Sequence, residues 1–100
     1  MKIEISEEKR NIIKTAIEKF GTPNQIGMLM EEVGELLTAI NQHGRRRVTD
    51  EAVTEEIADV MIMLVQMSVI FGEEDVQEWI DKKIKRLEER ILSGHPERRQ

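Results

Sequence analysis

The stretch from Val60 to Phe71 most constrains what this chain can fold into. Gln66 and Ser68 are its only polar residues, so a helix built there is apolar on nearly every side. Such a helix must be enclosed all round, and a chain of 100 residues has few elements to enclose it with. A second copy of the chain is therefore expected to supply part of the cover. The run is too short to span a bilayer, and Met1 to Ser6 contains no apolar leader segment. The expectation is a soluble, cytoplasmic protein that makes no membrane contact.

The remaining sequence divides into helices by periodicity and punctuation. Ser6 caps a first helix that runs to Phe20 and stops at Gly21. Thr22 reads as the N-cap of a second, with Pro23 at its first position and Gln25 completing a capping box. Its apolar stripe comprises Ile26, Leu29, Met30, Val33, Leu36, Leu37 and Ile40, and it ends near Gln42 with Gly44 beyond. Thr49 caps the third helix, which ends at Phe71 before Gly72. The fourth runs from Glu73, in an acidic first turn, to about Leu92, with a frayed tail over 95–100. Gly27 and Gly34 sit on one face of the second helix, where each costs about 1 kcal/mol against alanine. A close backbone approach would account for them. These signals predict an all-α fold: one domain over 1–100, of four-helix-bundle type, assembled as a tight homodimer or homotetramer.

Composition narrows the partners. Asp and Glu number 20 against 15 Lys and Arg, a formal charge of -5, which argues against duplex nucleic acid as the ligand. Three aromatics (Phe20, Phe71, Trp79) are too few for an extended base-stacking surface. The basic residues gather at Arg45–Arg47 and between Lys82 and Arg90, which suits a small phosphorylated ligand. Cysteine is absent, excluding thiolate metal sites and cysteine nucleophiles.

A short echo runs through the middle of the chain. Glu31-Glu32-Val33-Gly34-Glu35-Leu36-Leu37 is matched by Glu55-Glu56-Ile57-Ala58-Asp59-Val60-Met61. Residues three apart share a helix face, so Glu32 converges with Glu35 and Glu56 with Asp59. Two such pairs on facing helices offer four hard oxygens to one volume, a donor set that Mg²⁺ or Mn²⁺ prefers. The bland alternative is two solvated acidic faces, and Glu35 does lie away from the main stripe of its helix. Asp59 weighs against that alternative. It shares a face with Ile62, Met63, Gln66 and Ile70, where an unpartnered carboxylate is costly.

The pattern Glu-Glu-x-x-Glu, twenty intervening residues, then Glu-x-x-Asp resembles the MazG-like group of all-α NTP pyrophosphohydrolases. The resemblance spans about Phe20 to Leu92. It includes the run Gln25 to Leu36, the run Glu55 to Ile62 and the lysine-rich final helix. It implies a helical dimer or tetramer that cleaves an NTP, or its deoxy form, to the monophosphate and pyrophosphate. It implies Mg²⁺, or Mn²⁺ in its place, held by Glu32, Glu35, Glu56 and Asp59. Glu31 matches a further acid of the family, as a ligand or as the group that orients water. Lys83 and Arg86 look like its C-terminal basic residues that meet the triphosphate, and Gln25 like the glutamine before its first acidic motif.

Each of these has a plainer reading. Lys83 and Arg86 share a face with Trp79 and Arg90 that i,i+4 ion pairs could account for, and Trp79 can pack rather than stack on a base. Capping alone would explain Gln25. Arg45–Arg47 fit a solvated loop, and His43 and His95 fit helix ends. Two other functions compete with NTP hydrolysis. One is phosphoribosyl-ATP pyrophosphohydrolase, though the approach Gln25 to Met30 lacks the lysine-glycine character expected there. The other is a non-catalytic helical oligomerisation module, which the intact set of four acids disfavours.

Overall fold

The computed structural model describes residues 3–94 and is all-α, with no strand among them. Four helices follow in order: α1 (Glu7–Phe20), α2 (Thr22–Gly44), α3 (Asp50–Phe71) and α4 (Glu73–Ser93). Short polar side chains set the starts of α1 and α3. Ser6 Oγ accepts a hydrogen bond from the Lys9 amide at 3.2 Å, and Thr49 Oγ1 accepts one from Ala52 at 3.2 Å. Glycine sets the breaks. Gly21 (φ 86°), Gly72 (φ 127°) and Gly94 (φ 77°) take backbone conformations that other residues adopt only under strain. Gly21 and Gly72 each form the whole connection between two helices, whereas residues 45–49 form a longer, basic one.

The start of α2 differs from the sequence expectation. Thr22 is already helical, Gly21 occupies the N-cap, and no side chain caps the helix. With Gly21 turning the chain in one residue, the Gln25 amide donates to the Gly21 carbonyl at 3.1 Å. Gln25 is thereby released from capping duty, and its side chain is buried. The helix also runs two residues further than expected, to Gly44.

α2 and α3 form the antiparallel spine of the molecule, with α1 against both. α4 packs on α3 and makes no backbone approach to α2, so one chain does not close into a bundle. Ile13, Val60 and Met63 are the buried apolar side chains among the described residues, and none of them is completely sealed from solvent. Met30 and Leu37 of the α2 stripe remain 71% and 63% exposed, and Ile62 and Leu64 of α3 about half exposed. The expected close approach at Gly27 and Gly34 does not occur within the chain, because a Cβ added at either meets nothing within 4 Å. The tail from His95 lies outside the described residues. No helix among the described residues is long and apolar enough to cross a membrane.

Candidate metal centre

The acidic echo becomes a site because α2 and α3 run antiparallel. In that arrangement a falling residue number on one helix meets a rising number on the other. Glu35 therefore faces Glu56, and Glu32 faces Asp59. Carboxylate oxygens of Glu32, Glu35 and Glu56 lie within 4.8 Å of one another. Asp59 stands beside Glu32, and Glu35 beside Glu56, near enough for Asp59 to raise the pKa of Glu32 and for Glu35 to raise that of Glu56.

The electrostatics are those of crowded like charges. Glu32 and Glu56 are both pushed above the ordinary value of 4.5, first by loss of solvent and then by repulsion from Glu35 and Asp59. Oε2 of Glu32 and Oε2 of Glu56 are buried and accept no hydrogen bond. Neither ion pair among the described residues, Arg10–Glu73 or His43–Asp50, brings a cation to these acids. Orphaned carboxylate oxygens converging on one volume fit a hard divalent cation far better than they fit a solvated face.

A family model supplies the comparison. The model of the MazG nucleotide pyrophosphohydrolase domain matches residues 20–94. The chain belongs to that family. No curated protein and no solved structure matches it. As a MazG domain it is a nucleotide pyrophosphohydrolase, a hydrolase that acts on a nucleotide substrate, and the family typically depends on a divalent metal.

The other expected residues of this MazG domain are distributed unevenly. Glu31 does not join the cluster. It is exposed on the wall of a groove of about 860 Å³ that also includes Glu35, Glu55 and Glu56 and extends to Gln42 and Val48. Gln25 lies on the other side of the acids, in a cavity of about 430 Å³. Lys83 and Arg86 are exposed on α4 and line neither cavity. Trp79 is half exposed and carries Lys82 and Lys83 over its ring, with the ammonium groups 5.1 and 5.8 Å from the centroid. That contact accounts for the Trp79–Lys83 spacing without any ligand. Arg45, Arg46 and Arg47 are exposed, and His43 pairs with Asp50 across their loop.

Sequence reasoning missed Gln66. It is 4% exposed, and its Oε1 has no hydrogen-bond partner. The signal was available, since a lone amide in the most apolar helix of the chain has to be satisfied by something.

Proposed function

We propose that this MazG domain is a Mg²⁺-dependent nucleoside triphosphate pyrophosphohydrolase that cleaves an NTP or dNTP to the monophosphate and pyrophosphate. The observation that carries this reading is the convergence of Glu32, Glu35 and Glu56, with Asp59 alongside and two buried carboxylate oxygens left unpartnered. Glu32, Glu35, Glu56 and Asp59 hold the cation, and Mn²⁺ suits the same donors. When bound, a divalent ion supplies charge neutralisation on the triphosphate and lowers the pKa of the attacking water. Glu31, on the groove wall, orients that water. Such hydrolysis needs no covalent nucleophile, in keeping with a chain without cysteine. Clearing unwanted nucleotides from the cytoplasmic pool is a role consistent with this chemistry.

The working unit in this proposal is a homodimer or homotetramer. Sixteen large apolar side chains are exposed among the described residues, and only three apolar side chains are buried, which is far too small a core for an independent 100-residue fold. The radius of gyration, 16.2 Å, exceeds the roughly 13 Å of a compact chain of this length. Both features suit helices that find their remaining neighbours in another copy.

Pyrophosphate release from a panel of NTPs and dNTPs, with Mg²⁺ and with chelator, tests the activity. Metal-dependent release supports it. No release from any triphosphate at any metal concentration overturns it.

A further inference from the structure

The cavity that holds Gln25 has a chemistry of its own. It is lined by Ala16 and Phe20 of α1, Asn24, Gln25 and Met28 of α2, and Gln66 of α3. None of these residues is charged. Two of them are primary amides at least nine-tenths buried, Gln25 at 6% and Gln66 at 4% exposure. Burying two amides at one cavity is unfavourable unless their donors and acceptors are used, and Oε1 of Gln66 is unused. At about 430 Å³ the cavity is the size of a small-ligand cleft.

Its position along the spine is equally specific. Gln25 precedes Glu32 by seven residues, and Gln66 follows Asp59 by seven. Because α2 and α3 are antiparallel, both steps lead the same way, about 10 Å along the helix axes. Seven residues is also close to two turns, so each glutamine stays on the face that carries the acid of its own helix. Gln25 thus faces Gln66 in the register in which Glu32 faces Asp59. The acidic groove lies in the opposite direction, toward Gln42 and Val48.

We propose that this cavity is the nucleobase pocket of the enzyme, with the amides of Gln25 and Gln66 reading the hydrogen-bonding edge of the base. The inference rests on the nucleotide reading above and adds which part of the substrate lies where. A neutral cavity suits an uncharged ring and not a phosphate. An amide presents a donor and an acceptor side by side, as does the edge of a base. Phe20 and Met28 give the ring an apolar wall. The ribose and the first phosphate then bridge the interval to the acids.

The test uses the wild-type protein in chelator, so that it does not depend on turnover. Side-chain amide signals of Gln25 and Gln66 are followed by NMR during titration with adenosine, cytidine, guanosine or uridine. One nucleoside is expected to move both amide pairs at lower concentration than the other three. Gln66→Met, which keeps the volume and removes the orphaned acceptor, should abolish that response without lowering the melting temperature. In turnover the same variant should reduce discrimination between bases by about tenfold, the worth of one hydrogen bond. The proposal is overturned if no nucleoside moves the signals, or if all four act alike. Unchanged base preference in Gln66→Met also overturns it, with hydrolysis left standing. Selective nucleoside binding without hydrolysis of any triphosphate would keep the pocket and remove the hydrolase.

Discussion

At the scale of single residues, the four acids do two opposed things. In the proposed function they hold a cation, and without one they repel one another. Asp59→Asn should therefore abolish nearly all metal-dependent turnover, while the metal-free variant melts no lower than the metal-free wild type. Full activity with a large loss of stability would make Asp59 a structural residue instead. Glu56→Gln should behave as Asp59→Asn does. Glu55→Gln, outside the cluster, should retain most of the activity, since its charge reaches the site only as one of the weaker influences on Glu56. The pH dependence has a definite sign. Glu32 and Glu56 are raised in the folded protein, so the native state binds more protons than the unfolded chain. The stability that these two groups contribute to the metal-free protein should then be fully present below the ordinary 4.5 and be lost as pH rises through the elevated values. Thermal melts in chelator across mildly acidic pH would check this; a rise over that range would contradict it. The acids were legible in the sequence because spacing on a helix is periodic. Gln66 was not, because its meaning depends on what stands opposite it.

At the scale of elements, the helix boundaries were legible wherever one residue decides them. Ser6, Thr49, Gly72 and Gly94 all do what their chemistry suggests. The start of α2 was not, because Thr22 and Gly21 are both acceptable caps and only the sharp turn from α1 selects between them. Gly21 takes φ 86° and ψ 146°, a region essentially confined to glycine. A Cβ there would find space, its nearest neighbour being Pro23 Cδ at 4.0 Å. Gly21→Ala should therefore destabilise through backbone strain alone, by about 1–3 kcal/mol, measurable by urea unfolding. An unchanged midpoint would mean that the α1–α2 junction relaxes freely. On α4, we predict that Lys83→Ala raises KM for the triphosphate without changing helicity. Wild-type kinetics would leave Lys83 as a cover for the Trp79 ring.

At the scale of the molecule, the sequence indicated an α3 helix that needs enclosing, and one chain does not enclose it. What α4 and the outer face of α2 pack against was not legible, since surface apolarity says that a cover is needed and not how it is oriented. Sedimentation at micromolar protein should show a dimer or tetramer, and a sole species of 11.6 kDa would refute the assembly. The connections carry a last consequence. Two of the three are a single glycine, and only residues 45–49 form a segment that a protease could thread. Trypsin should nick the native protein there, at Arg45–Arg47, leaving two helix pairs. One half carries Glu32 and Glu35, the other Glu56 and Asp59. The two pieces share the acids evenly, so divalent metal should hold them together and chelator should let them part. The molecule could thereby serve as a split reporter whose reassembly reads out the ion.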